Sequence, residues 1–164
     1  MDEYATHLPM LAACLAQTKG PVLELGMGSY STALIHAMCK DRVVVSTDTD
    51  PAWIAKFKDQ VEHPHSIHLV EHEVHAAFSK QLAETKRWGV VFVDHLHNDL
   101  RKSDVVQFRE HADLVVVHDT DCKDSSRDHC DINSVANMYV HKHEYRKLWP
   151  YTTVLSMTND LSFL

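Results

Sequence analysis

Two short stretches place an acid beside an imidazole. Asp94-His95-Leu96-His97 follows the apolar run Val90-Val91-Phe92-Val93, and His118-Asp119-Thr120-Asp121 follows Leu114-Val115-Val116-Val117. An Asp and a His on one loop can position a hydroxyl group and remove its proton, which makes Asp94 and His97 the candidate catalytic residues. Two carboxylates near an imidazole could also hold a divalent cation. The oxygens of Asp94 and Asp119 suit Mg²⁺, whereas His118 would admit Mn²⁺ or a later metal. Without a metal, Asp119 would cap the next turn and His118 would pack in the wall of a crevice. Arg101, one helical turn beyond His97, is expected in a surface ion pair.

A third candidate is the turn Glu24-Leu25-Gly26-Met27-Gly28-Ser29-Tyr30-Ser31-Thr32, between an apolar run and a helix start. Its glycines permit a tight turn and close approach of a ligand to the backbone. It is not a phosphate loop, having no G-x-x-x-x-G-K-[ST], and Ser31 stands where a dinucleotide fingerprint needs its third glycine. A carboxylate follows the next apolar run in Ser46-Thr47-Asp48-Thr49-Asp50-Pro51. Asp48 there can accept two hydrogen bonds from a ribose diol. Asp50 is expected only as a helix cap, because Pro51 suits the first helical position.

The elements that must position these residues alternate. Compact β-branched runs at Pro21–Leu25, Arg42–Ser46, Ile67–Val70, Val90–Val93 and Leu114–Val117 read as strands. Helical patterns fall between them: 3 to 17, from Ser31 with Leu34, Ala37 and Met38 inward, from Pro51, 75 to 86, and 99 to 111. Another helix carries Ile132, Val135, Ala136, Tyr139 and Val140 on one side, and two strands near 151 to 156 and 161 to 164 finish the chain. Strands alternating with helices predict an α/β, doubly wound, mostly parallel seven-stranded sheet with helices on both faces. Residues 1–164 read as one domain, with 1–20 as an opening helix and no room after the last strand for a tail.

The 164 residues include 14 His, with Lys+Arg 16 against Asp+Glu 23. A net acidic chain without Lys/Arg blocks is a poor partner for nucleic acid or an anionic membrane. No apolar run reaches the roughly 18 residues of a membrane span, and no basic-then-apolar signal pattern opens the chain. Four Cys without a C-x-x-C pair fit a reduced, cytoplasmic protein. His63, His65, His68, His72 and His75 alternate with polar neighbours and read as an exposed face. The H-x₃-C-x₆-H-C spacing of His118, Cys122, His129 and Cys130 matches no zinc module. Trp53, Trp88 and Trp149 read as packing residues.

With E-L-G-x-G at 24–28 and an acid closing strand two at Asp48, the sequence resembles class I (Rossmann-like) S-adenosylmethionine-dependent methyltransferases. The resemblance implies that Gly26 and Gly28 face the methionine part of S-adenosylmethionine, that Asp48 and Thr49 flank its ribose, and that Glu24 lies near its amino end. Ser29, Tyr30, Ser31 and Thr32 complete the implied cofactor set. Ser31-Thr32 resembles the G-x-x-S-T form of sugar and small-molecule O-methyltransferases, although Tyr30 replaces the usual third glycine. Glu73, after strand three, is implied near adenine. V-F-V-D-H-x-H resembles the strand-four loop of catechol-type O-methyltransferases. Asp94 there matches a metal-binding Asp beside the cofactor, and His97 stands in the place of a Lys base. Asp119 matches half of an Asp-Asn metal pair, with Thr120 in the Asn place.

The expectation is O-methylation of a small hydroxylated molecule, a sugar or phenol, by in-line transfer with base or metal assistance. The competing expectation is a non-catalytic module that binds an adenosyl ligand or another protein. Only residues 1 to 20 and 120 to 131 are available to shape an acceptor pocket, and pairing of identical copies would help to close one.

Overall fold

A computed structural model describes residues 2–121 and 132–164 of the chain. Seven strands form one sheet: β1 (Val22–Leu25), β2 (Val44–Asp48), β3 (His65–Leu69), β4 (Trp88–Val93), β5 (Ala112–His118), β6 (His141–Tyr145) and β7 (Thr152–Ser156). Their order is β3-β2-β1-β4-β5-β7-β6. The first five are parallel, and β7 runs antiparallel to both neighbours. Strands β1 and β4 are buried along their whole length, which is why they read as unbroken apolar runs rather than alternating ones.

Helices α1 (Leu8–Gln17), α2 (Ser31–Met38), α3 (Pro51–Phe57), α4 (His72–Thr85), α5 (Asn98–Gln107) and α6 (Asn133–Ala136) connect or flank the strands. Two apolar cores result, one on each side of the sheet. Met10, Leu11, Leu15 and Ile35 of α1 and α2 pack with Val22, Val90 and Phe92. Ala83, Val105, Phe108 and Ala136 pack on the other side with Leu23, Val91 and Trp88. Trp88 is fully buried, its indole N–H donating to Leu82 O at 3.1 Å. No helix of the described residues is long and apolar enough to cross a membrane.

Several expected boundaries move. The opening helix starts at Leu8 rather than residue 3, after a single 3₁₀ turn at Glu3–Ala5, so Tyr4 is exposed instead of sharing the face of Leu11 and Leu15. Helix α2 turns Ser31, Thr32 and Ile35 to the sheet, leaving Ala37 and Met38 exposed. The helix expected through Val140 is only the short α6, and Val140 is exposed. The sixth strand is not 161–164 but His141–Tyr145, an edge strand whose polar sequence carries almost no apolar signal. Cys122, His129 and Cys130 lie outside the described residues.

Strand register fixes the site. Leu25 pairs with Thr47 of β2 and with Val93 of β4, and Val93 pairs with Val117 of β5. The next residue of each strand is therefore Gly26, Asp48, Asp94 and His118, a row of four along the carboxyl edge. The ladder continues into that row: Gly26 N–H donates to Thr47 O at 2.9 Å, and Asp94 N–H to Leu25 O at 2.8 Å. In an open α/β sheet this edge is where ligands bind.

Candidate functional site

A cavity of about 680 Å³ opens over that row. Its walls include Gly28, Ser29 and Tyr30 of the glycine turn, Asp48, Thr49 and Asp50 after β2, and Asp94 and His95 after β4. His118 and Asp119 after β5 and Trp149-Pro150 before β7 continue the wall. The remaining side comes from the N-terminal segment through Asp2, Glu3, Tyr4 and His7. Tyr30 OH donates to Asp2 Oδ2 at 2.8 Å, tying that segment to the glycine turn.

The glycine turn is built in layers. Gly26 has φ +96°, and a Cβ there would lie 2.3 Å from His95 N. Only glycine lets the turn pass under the peptide that follows β4. Thr32 Oγ1 accepts from Gly28 N–H at 3.1 Å and donates to Glu24 Oε1 at 2.9 Å. Glu24 is fully buried beneath the turn, and burial pushes its carboxyl up to about 7. Glu24 and Thr32 thus brace the turn from below and do not line the cavity. Ser31 is also buried and off the wall.

Asp48 accepts Met27 N–H at 2.7 Å through Oδ2 and Asp50 N–H at 2.8 Å through Oδ1. Burial raises its carboxyl above the usual range despite these bonds. Thr49 N–H acts on the same carboxylate, which with about four acceptor positions retains one for a ligand. Asp50 caps α3 through Ala52 N–H, as its place before Pro51 predicts.

At the other end, His118 is buried between β5 and the N-terminal segment. Its Nδ1 lies 3.1 Å from Asp94 Oδ1 and 3.3 Å from Asp119 Oδ1. Its Nε2 lies 2.9 Å from Thr6 Oγ1, whose own proton goes to Pro150 O at 2.9 Å. Both ring nitrogens therefore face acceptors, and the ring fits as an imidazolium. Burial works against that charge, but Asp94 and Asp119 outweigh it and raise His118 above its ordinary value. Asp94 is held low in turn: burial would raise it, but His118 and Arg101 prevail.

Arg101 is 4% exposed, not a surface residue. It bridges Asp94 Oδ1 at 3.4 Å and Asp119 Oδ2 at 3.6 Å, and donates to the carbonyls of His95 and His118. The expected cation set of Asp94, Asp119 and His118 thus already contains two positive groups. His7, Asp94 and His118 do bring ligand atoms within 4.8 Å of one another. A divalent ion there would have to displace the Nδ1 proton of His118.

No catalytic or ligand-binding motif in the sequence marks His7 as a site residue. It is 2% exposed, lines the cavity, and neither ring nitrogen has a hydrogen-bond partner among the described residues. Its ring packs 4.9 Å from Phe92 and 4.7 Å from His118. Burial, with the nearby His118 charge, lowers it to about 4 against a counteracting pull from Asp94. It is a neutral imidazole at the cavity wall.

His97 and Glu73 do not reach the cavity wall. His97 precedes α5 and packs its ring 4.2 Å from exposed His72, while Glu73 is exposed in the first turn of α4. His75 is buried rather than surface-exposed. Its Nε2 and that of His95 meet Asp104 Oδ2 at 2.9 and 2.7 Å, with Ser79 on Oδ1. This cluster fastens the 94–95 loop to α4 and α5. Trp53 and Trp149 line the cavity, whereas Trp88 is core.

No protein-family model matches the sequence, and no curated protein matches it. Solved structures do share its fold. The chain is similar to a putative caffeoyl-CoA O-methyltransferase from Staphylococcus aureus, with 12% identity and a TM-score of 0.71, over 95% of this chain and 85% of that one. It is similar to spermidine synthase from Thermotoga maritima, with 13% identity and a TM-score of 0.66, over 97% of this chain and 61% of that one. It thus spans about three-fifths of the synthase's length. The MycE methyltransferase of the mycinamycin pathway, in complex with Mg and SAH, aligns with 12% identity and a TM-score of 0.64, over 93% of this chain and 49% of that one. The architecture is the Rossmann-like methyltransferase fold, mostly parallel with β7 antiparallel.

Proposed function

We propose that the protein is an S-adenosylmethionine-dependent methyltransferase acting on the oxygen of a small hydroxylated molecule, a sugar or phenol. The observation that carries this reading is His7: a buried, neutral imidazole, without a hydrogen-bond partner among the described residues, in the wall of the same cavity as Asp48 and the glycine turn. A buried polar group without a partner costs about 1–3 kcal/mol, so its retention points to a ligand that completes it.

The residues present fit the cofactor. Asp48 would take the ribose hydroxyls, with Thr49 beside it, and Gly28, Ser29 and Tyr30 would border the methionine part. A cavity of about 680 Å³ falls within the range of small-molecule sites. When bound, S-adenosylmethionine supplies an electrophilic methyl group on sulfur. The chain's own residues do the rest. His7 accepts the proton of the acceptor hydroxyl, in place of the His97 expected from sequence. Asp94 stabilises the charge that His7 then acquires. The Arg101–Asp94–Asp119–His118 cluster holds these groups in place. No step is assigned to a divalent cation, because the protons and guanidinium of that cluster occupy the expected ligands.

The test is turnover. Purified protein with S-adenosylmethionine and a range of sugars and phenols is expected to release S-adenosylhomocysteine together with O-methylated product. Asp94→Asn should lower the rate about 10²-fold by removing the charge that supports His7. Cofactor binding without methylation of any hydroxylated acceptor would overturn the reading in favour of a binding module.

A further inference from the structure

We propose that His75, His95 and Asp104 form a binding site for one zinc ion, which holds the loop after β4 against α4 and α5. The site is separate from the Asp94–His118 cluster and does not depend on the methyltransferase reading.

The three residues come from three consecutive elements. His75 lies on α4, His95 stands two residues past the end of β4, and Asp104 lies on α5. All three are buried, at 3%, 5% and 1% exposed. Their ligand atoms lie within 4.8 Å of one another. Both Nε2 atoms converge on one oxygen, Asp104 Oδ2, at 2.9 Å from His75 and 2.7 Å from His95. Ser79 Oγ donates to the other oxygen, Oδ1, at 2.5 Å, and so turns Oδ2 toward the two rings. Bonds of this outer kind orient a metal-binding carboxylate.

Two imidazole nitrogens and one carboxylate oxygen are a donor set for zinc, whereas Mg²⁺ and Ca²⁺ take oxygen ligands. Tetrahedral zinc, with bonds of about 2.0–2.2 Å to N and O, spaces its donors about 3.3–3.5 Å apart. The nitrogen–oxygen distances here are roughly half an ångström shorter, so the ion enters by spreading them. His95 lines the cavity, which gives the ion a way in. Its Nδ1 has no hydrogen-bond partner among the described residues, so the bond at Nε2 is the one that must yield. Metal-bound histidine is neutral, and each ring then carries its proton on Nδ1 in place of Nε2. The consequence reaches the cavity, because a Cβ on Gly26 would lie 2.3 Å from His95 N. An ion on His95 therefore fixes, from behind, the peptide that covers the glycine turn.

The test is zinc titration of the intact, chelator-treated protein at neutral pH, with citrate present to hold the ion off single surface histidines. One zinc per chain is expected, with a rise in melting temperature. His75→Gln should weaken zinc about a hundredfold or more, and Ser79→Ala about tenfold. His7→Leu should bind zinc as the wild type does. In the wild-type protein, long-range proton–nitrogen NMR should show Nε2 of both His75 and His95 changing from a protonated to a metal-bound nitrogen. That readout needs no variant and decides the matter even where His75→Gln fails to fold. No zinc binding, undiminished binding in folded His75→Gln, or an ion held by other imidazoles overturns the proposal.

Discussion

His7→Leu is expected to abolish methyl transfer, by about 10² to 10⁴-fold, while making the protein more resistant to acid. The two effects share a cause. The folded state holds His7 at about 4, and an unfolded chain holds it near 6.5. Between those values the unfolded state binds a proton that the folded state refuses, so stability falls as pH drops through that window. The gap corresponds to about 3 kcal/mol for this well-buried ring, fully present above pH 6.5 and lost by about pH 4. Leucine removes that loss. Glu24 works in the opposite sense: its folded value of about 7 lies above the unfolded one, so its contribution improves as pH falls. The difference between variant and wild type isolates His7 from this opposing group. Urea unfolding at pH 7 and pH 4 should show the Leu variant gaining about 3 kcal/mol on wild type between the two. Equal pH dependence with unchanged turnover would remove His7 from both roles.

Gly26→Ala is expected to be the most damaging single methyl group in the chain. The residue needs φ +96°, and its Cβ would sit 2.3 Å from His95 N and 2.5 Å from Asp94 C. Both atoms belong to backbone, so no side chain can swing aside. Left-handed strain costs about 1–2 kcal/mol, and forced overpacking about 1–3 kcal/mol more. The shift would also move Asp94 off His118. Gly28→Ala is the control, since its Cβ would meet only Ser31 Oγ, at 3.0 Å, with no left-handed φ. Thermal melts should place Gly26→Ala far below wild type and Gly28→Ala close to it. A Gly26→Ala protein with wild-type stability would contradict the layered account of the turn.

The parts of this site that are legible in the sequence are those fixed by strand register. Buried parallel strands announce themselves as unbroken runs such as Val90–Val93 and Leu114–Val117, and whatever follows such a run stands on the carboxyl edge. Gly26, Asp48, Asp94 and His118 all follow from that rule. His7 does not, because it lies far from His118 in sequence and inside a segment whose periodicity reads as continuous helix. The signal that exposes it is Pro9: proline favours the first helical turn, so the helix should start near Leu8 and leave residues 2 to 7 to do something else. The pairing of His75 and His95 with Asp104 is hidden for a similar reason, since alternation with polar neighbours makes His75 look exposed when α4 turns it inward. Arg101 looks solvated because nothing local shows that two carbonyls and two carboxylates converge on it. Strand β6 escapes notice because an edge strand needs little apolar surface.

The central claim is that the cavity above Gly26, Asp48 and Asp94 holds the methyl donor. Calorimetric titration of S-adenosylhomocysteine into the intact protein tests it most directly. The account predicts one site per chain, with affinity falling about tenfold or more in Asp48→Asn, whose bonds to a diol are weakened; the melting temperature without ligand is expected to fall as well, since an amide can accept only one of the two backbone N–H groups of Met27 and Asp50. Absence of binding to the wild-type protein, or equal affinity in a folded Asp48→Asn variant, would contradict it.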